Sequence, residues 1–496
     1  MQLARPLVLT LCAAALLQAS LSPDEKLLTE AMTAAELRAH VSFLASDPLE
    51  GRDTPSRGLD VAAEYIASEF RRAGLEPAGD DGYFQTAPHA ALRENLAGFH
   101  LALERDGKTL AVPTTAVRVT AETALDLKDV PLVRVPVDGD SSTLAPGSFD
   151  GKAVLTETPD FSSLPAAQRA EAIQQMLRLR ARLRESNAAL LIEMTNRLTP
   201  ARPRLTGLGG RRRTPPAIEI DDPALRAAAA TLPPGLIGAR ISLRLAAPEA
   251  ETVRLKNVAG LVRGSDPQLK DTYVIVSGHY DHEGVRDGVV YNGANDDASG
   301  TSAMLAIAEA VARLPQKPKR SILFIAYFGE EKGLLGSRYY GAHPLFPLSR
   351  TVANLNLEQM GRTDDSDGPN RKSVFVTGFD YTNLKDWLAN AGRETGVRFG
   401  KDGTNSDAFF ARSDNQSLAD AGVPAHTLVT AYMYPDYHQP GDHWEKIDYD
   451  NMATVTRAIG VALLRVANSS KPVEWNASNP KAASYVEAAR ELVSGK

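Results

Sequence analysis

A chain of 496 residues, 43% of them hydrophobic, can bury a large core and more than one domain, which excludes a disordered chain. Its formal net charge of -6 offers no basic field for nucleic acid, and the cluster Arg211 to Arg213 beside Pro215 and Pro216 reads as a solvated loop. The single cysteine, Cys12, lies in the N-terminal segment, so disulfides and thiol chemistry are excluded from the rest of the chain.

In chain order, MQLARPLVLTLCAAALLQASLS sets one arginine before an apolar stretch from Pro6 to Leu17, then small residues around Ala19 and Ser20. That is the order of a secretory signal peptide over residues 1–22, and the stretch is short for a membrane span. The expectation is an exported protein, periplasmic or secreted and bacterial in composition, with no stable membrane insertion. Residues 23–114 are expected to open the catalytic domain: AAELRAHVSFLAS and GLDVAAEYIASEFRRAGL repeat apolar residues at intervals of three and four, and EPAGDDGY closes the second helix. The texture then changes over 115–250. Short β-like runs (VPLVRVPVD, GKAVLTE, AALLIEM), a helix with the charged face RLRARLRE and several Pro/Gly breaks predict an inserted domain. From Asn257 strands and helices alternate, from DTYVIVSGH and TSAMLAIAEAVARL to AHTLVTAY and DNMATVTRAIGVALLRVAN. Continuous apolar strands between helices predict an α/β fold with a mixed, mostly parallel central sheet covered on both faces, over 251–470. A polar tail, 471–496, is expected to wrap the surface or fray.

Ligands of α/β sheets gather at the carboxyl ends of the strands, and His, Asp and Glu recur there. His279, Asp281 and His282 follow TYVIVSG; Asp296 and Asp297 lie in NGANDDASG; Glu330 and Glu331 follow SILFIAYFG; Glu358 follows TVANLNL; His438 comes after HTLVTAYMYPDY. Five such strand ends bring imidazole and carboxylate to equivalent places. Adjacent glutamates after a buried strand repel one another unless a cation compensates. Two His with three or more carboxylates and no Cys suit two Zn²⁺ or similar divalent ions per chain. Glu331 can then ligate while Glu330 stays free to accept a proton. The acidic run Thr363 to Gly368 lacks the closing Glu of an EF-hand and reads as a solvated turn, and Gly207 to Gly210 lacks the context of a phosphate loop. His282 and His443, near these motifs, read as hydrogen-bonding rather than ligating.

GHYDH, GANDDASG, AYFGEEKGLLGS, NLNLEQMGR and YHQPGDHWEKID, in this order and spacing, resemble the M28 family of zinc metallopeptidases, the aminopeptidase type with two co-catalytic zincs. LASDPLEGRDTPSRGLDVAAEYIASEFRRAGLEP and NVAGLVRGSDP are similar to members whose catalytic domain carries a protease-associated (PA) insertion. The resemblance implies a zinc-exopeptidase-like fold with a β-rich PA-like domain at 115–250. It implies His279, Asp296 and Glu331 on one zinc, and Asp296, Glu358 and His438 on the other. Asp281 would orient His279, Glu330 would be the general base, and Tyr437 would hydrogen-bond the developing oxyanion. Peptides with a free N-terminus are the implied substrates. Two positions depart from the family pattern: Glu358 stands where many members carry Asp, and Asn415 where many carry His. The rival readings are a carboxypeptidase or single-zinc glutaminyl cyclase on the same fold, and a non-catalytic receptor-like binding protein.

Overall fold

Strands in which almost every residue is apolar form a sheet with both faces covered, because neither side of such a strand tolerates water. In the computed structural model these are β1 (Glu249–Val262), β2 (Tyr273–His279), β3 (Ser321–Tyr327), β4 (Thr351–Leu357), β5 (Ser373–Val376), β6 (Arg398–Gly400) and β7 (Ala425–Val429). The structure describes residues 21–137, 149–158, 166–199, 201, 203–207, 215–365, 368–403 and 405–494. Residues 1–20 of the expected signal peptide, with Cys12, the Arg211 to Arg213 cluster, Leu208 to Gly210, and Ser366 and Asp367 of the acidic turn lie outside the described residues.

These seven run in the order β6-β5-β7-β4-β2-β3-β1, and Phe84–Arg93 continues the sheet beyond β1. The centre, β7-β4-β2-β3, is parallel, whereas β1 runs antiparallel to β3 and β5 antiparallel to β7. The fold is thus α/β with a mixed, mostly parallel sheet. Alternate residues serve opposite faces. Tyr273 and Ile275 of β2, with Leu323, Ile325 and Tyr327 of β3, join Tyr340, Leu418 and Ala482 in one core. On the other face Phe324 meets Phe70, with 6.5 Å between ring centroids.

Phe70 belongs to α3 (Arg57–Ala73), which follows α1 (Pro23–Ala31) and α2 (Ala34–Leu44). The side chain of Ser56 accepts the Leu59 N–H at 3.1 Å to start α3, Leu59, Ile66 and Phe70 repeat along its buried face, and Gly74 ends it at φ 80°. The other main helices are α4 (Gly300–Arg313), α5 (Leu335–Ala342), α6 (Leu384–Thr395), α7 (Tyr449–Asn468) and α8 (Ala483–Ser494). No helix of the described residues is long and apolar enough to cross a membrane. The expected tail at 471–496 is instead structured up to Ser494: Trp475, Ala482, Tyr485 and Leu492 pack into the sheet core, and Trp475 Nε1 donates to Gly422 O at 2.9 Å. Its apolar residues are too widely spaced to stand out among polar ones.

The chain divides into two compact units, one running up to Ala87 and resuming at Arg254, the other Pro88–Val253. The second begins earlier than residue 115 because His100–Arg105 and Lys108–Ala111 pair within its own sheet, the former antiparallel to Gly235–Leu245. That sheet also holds Leu125–Arg134, Ala153–Glu157, Leu190–Met194 and Ala217–Ile220 in parallel pairings, and the unit includes the helices Ala166–Arg184 and Pro223–Ala230. Its apolar cluster draws only on residues between Leu96 and Leu245.

Candidate metal centre

The four central strands end on the same side, and three hand over their next residues directly to the site. His279 is the last residue of β2, Glu330 and Glu331 follow β3 after Phe328 and Gly329, and Glu358 follows β4. His438 comes from the loop beyond β7 and has φ 52°. Asp296 departs from the expected pattern. It follows a separate hairpin, Gly284–Arg286 with Val289–Tyr291, and sits in an irregular turn before α4, so four sheet strands and one turn build the cluster. The turn needs Gly300: a Cβ there would run into Asp297 Oδ1 and the Leu357 carbonyl oxygen.

The structure groups the ligating atoms differently from the family-derived pairing. His279, Asp296 and Glu358 present mutually close donor atoms, with His279 Nε2 3.2 Å from Asp296 Oδ1. On the other side of Asp296, His438 Nε2 lies 2.9 Å from its Oδ2 and 3.3 Å from Glu331 Oε1. In the structure Glu331 lies beside His438 and Glu358 beside His279, whereas the resemblance implied Glu331 with His279 and Glu358 with His438. The reason is the strand order: β4 is the neighbour of β2 that carries Glu358 beside His279, a relation invisible along the chain. Asp296 sits between the two groups, as a shared carboxylate requires.

The donor chemistry fits divalent cations. Among the described residues, both ring nitrogens of His279 and of His282, Glu331 Oε1 and Glu358 Oε2 are buried without an aligned hydrogen-bond partner. Close spacing without hydrogen-bond alignment is what converging lone pairs give, and buried polar atoms left so are costly. A cation could accept one nitrogen of each ring together with the carboxylate oxygens, while His279 Nδ1 faces Asp281.

Charge is distributed unevenly over the two adjacent glutamates. Burial and the Asp296 charge push Glu331 up, but His282 Nδ1, 3.0 Å from Oε1, and His438 outweigh them and hold it at about 2. Burial, aided by Glu358, Glu331 and Asp414 and opposed by His279, holds Glu330 well above the ordinary carboxylate range. Burial lowers His438 while its contacts with Asp296 and Glu331 raise it, to about 10 on balance. Tyr437 stacks on His438 at 4.1 Å between centroids, and burial pushes its phenol far up, so it stays a donor. Asp281 is fully buried: Oδ1 accepts the Glu330 N–H at 3.0 Å and lies 3.6 Å from His279 Nδ1, and Oδ2 accepts the Thr54 hydroxyl at 3.1 Å. At 3.6 Å it faces His279 without a full hydrogen bond.

A cleft of about 360 Å³ opens beside the cluster, lined by Asp296, Glu330, Glu331, Glu358, Tyr437 and His438 among others. Residues 257–463 match the family model described as Peptidase family M28. Over these residues the chain resembles Peptidase family M28. It is 27% identical to Aminopeptidase YwaD of Bacillus subtilis (strain 168) over 223 residues, 44% of this chain and 46% of that protein. It is 28% identical to Aminopeptidase NAALADL1 of Mus musculus, over 48% of this chain and 35% of that one. These matches span about half or less of the curated relatives' length. Among solved structures, an aminopeptidase from Aneurinibacillus sp. strain AM-1 aligns with TM-score 0.56 at 21% identity, covering 91% of this chain and 97% of that one. BSAP, a zinc aminopeptidase from Bacillus subtilis, aligns with TM-score 0.52 at 21% identity over the same shares. These likenesses are likenesses of fold.

Three supports of this site were missed or misassigned by sequence reasoning. Arg52, only 1% exposed, donates to the carbonyls of Tyr280 (2.7 Å), Asn292 (2.8 Å), Gly293 (3.0 Å) and Leu44, so one guanidinium ties α2 to the two loops that carry the ligands. Its only signal was the GR in LEGRD. Asp442 accepts the N–H groups of Asn295 and Asp296 and the Tyr434 hydroxyl, fixing the shared carboxylate's backbone. Asp297, grouped with Asp296 in the sequence, points away from the histidines and accepts the N–H groups of His279, Gly300 and Gln359. His282, read as hydrogen-bonding, has Nδ1 3.0 Å from Glu331 Oε1. Asn415 does not line the cleft. It lies fully buried, its Oδ1 accepting the Thr427 hydroxyl at 2.8 Å and its Nδ2 donating to Phe410 O at 3.0 Å.

Proposed function

We propose that this protein is a metal-dependent aminopeptidase that removes N-terminal residues from peptides, with two divalent cations, zinc by the chemistry of its ligands, held around Asp296. The observation that carries the proposal is the convergence of His279, Asp296, Glu331, Glu358 and His438 beside the ends of parallel strands, with atoms of His279, Glu331 and Glu358 left without a hydrogen-bond partner. His279 and Glu358 would hold one ion, His438 and Glu331 the other, and Asp296 both. Bound there, the ions would polarise the scissile carbonyl and acidify water.

The chain's own groups do the rest. Glu330, unpaired with either histidine and held above its usual range, takes a proton from the attacking water on its carboxylate and delivers it to the leaving amine. The Tyr437 phenol, kept protonated, donates to the oxyanion. Asp281 fixes the backbone of Glu330 and faces His279, coupling base to ligand in one buried carboxylate. Glu283 Oε1, 3.4 Å from His438 Nδ1, does the same for the second histidine. The sheet-and-helix body at 88–253 supports reading the insertion as PA-like. Dialysed protein should retain two zinc ions per chain and hydrolyse free-N-terminal but not N-blocked peptides, with activity lost to chelator and restored by metal. Full activity in metal-free protein would refute the proposal, and cleavage of N-blocked peptides from the C-terminus would replace it with the carboxypeptidase reading.

A further inference from the structure

The cleft wall is charged in an uneven way. Apart from the four carboxylates and the histidine of the catalytic cluster, the charged groups that line it are Arg338 and Arg412, and no further carboxylate faces them across it. Neither arginine forms an ion pair among the described residues, and both are exposed, unlike the buried Arg362, which pairs with Asp364 and Asp436. Asp420 lies within electrostatic reach of Arg338 without bonding it. Arg412 is held by a stack on Phe409, itself a wall residue, with its guanidinium carbon 4.3 Å from the ring centroid. Its charge reaches Tyr437, the proposed oxyanion donor. The remaining wall is apolar or neutral: Leu334, Val429 and Tyr432. A guanidinium stacked on an aromatic ring and left without a carboxylate presents its donor fork to whatever enters.

Resting on the peptidase reading above, we infer that the substrate carries a carboxylate which Arg412 and Arg338 bind while the scissile carbonyl sits at the cluster. Two sources present that chemistry: an acidic side chain on the N-terminal residue, or the free C-terminal carboxylate of a short peptide. The cleft's volume of about 360 Å³ is at the small end of ligand sites, which run from about 300 to 1,000 Å³, so short peptides suit it. Arg412 and Arg338 are specificity residues here. They bind the substrate's carboxylate and not the atoms of the bond that breaks.

The test uses the zinc-loaded full chain and four dipeptides in two matched pairs: leucyl-alanine against its amide, and glutamyl-alanine amide against glutaminyl-alanine amide. A charge-assisted pair at the exposed arginines of the cleft wall predicts a preference of about two- to fivefold in kcat/KM for the carboxylate-bearing member of one pair. The first pair responds if the C-terminal carboxylate is the source, the second if the side chain is. Arg412→Gln and Arg338→Gln should each shrink that ratio toward one at unchanged zinc content, with Arg412→Lys recovering part of it. Equal turnover within both pairs, or a preference that survives the double Gln variant, overturns the inference while leaving the peptidase standing. Cleavage of none of the four overturns the peptidase reading and this inference with it.

Discussion

Glu330 and Glu331 are chemically identical neighbours that the backbone sends to different tasks. Glu331 faces two imidazoles, His282 and His438, whereas the Glu330 main chain is pinned by Asp281 and its carboxyl group is left among other carboxylates. Changing either to Gln should therefore give opposite signatures. Glu331→Gln replaces an anionic donor by a weak neutral one, so metal affinity and activity should fall together and added zinc should restore part of both. Glu330→Gln keeps size and polarity but cannot take the proton, so kcat should drop by about 10² to 10⁴ with two ions still bound and no rescue by zinc. Metal content and peptidase rate measured on the same samples decide between the roles: a dinuclear but dead Glu331→Gln would exchange them. The distinction was legible at sequence level because adjacent residues at a strand end point different ways. The partition of ligands between two ions was not, because it depends on which strands are neighbours.

At the scale of elements, β7 owes its place to a buried histidine. His426 is 1% exposed; its Nδ1 lies 2.7 Å from Thr377 O, which makes Nδ1 the donor, and its Nε2 accepts from the Thr382 hydroxyl at 2.7 Å. The ring thus ties β7 to the residues that follow β5 and lead into α6. Burial holds it neutral and lowers its pKa from 6.5 to about 4, slightly offset by the Thr377 carbonyl. Between those values the unfolded chain binds a proton that the folded one refuses, so stability present above pH 6.5 is lost as pH falls toward 4. The loss is worth about 3 kcal/mol at ~1.36 kcal/mol per pKa unit. Denaturant titrations from about pH 7 to about pH 4 should show His426→Asn, which keeps the donor to Thr377, starting less stable but losing less across that range. Parallel slopes for the two proteins would show that another group controls the acid limb. Strand and helix alternation made these elements readable from apolar runs. The antiparallel turn of β5 beside β7 and the structured C-terminal helix were not, because β5 is four residues long and α8 offers only scattered apolar residues to the core.

Across the whole molecule, the proposed ligands, Glu330, Asp281 and Tyr437 all lie after Arg254, and Arg52 lies before Ala87, so one compact unit contains the entire site. The change of texture near residue 115 revealed an insertion but not its edge, since the alternating strand His100–Arg105 gives no sign of which sheet it joins until its partner Gly235–Leu245 is known. The boundary carries a consequence. Ala259 N donates to Tyr83 O at 2.7 Å, and Ala78 N to Ala259 O at 3.2 Å, so within the catalytic unit the chain leaving toward Ala87 and the chain returning from Arg254 run side by side. A Gly/Ser linker of a few residues can join them, at a modest closure cost. With residues 88–253 replaced in this way, the protein should unfold cooperatively and still bind two zinc ions with its ligands in place. Its rate on short peptides should remain measurable, because no residue of the cleft is removed. A deletion cut instead at 115 and 250 leaves the hairpin of His100–Arg105 and Lys108–Ala111 but removes Gly235–Leu245 from the free edge of His100–Arg105, and should aggregate. If the shorter protein cut at 88 and 253 folds, by near-ultraviolet circular dichroism, yet binds no metal, then the insertion is part of the metal centre and the two-unit account of this chain fails.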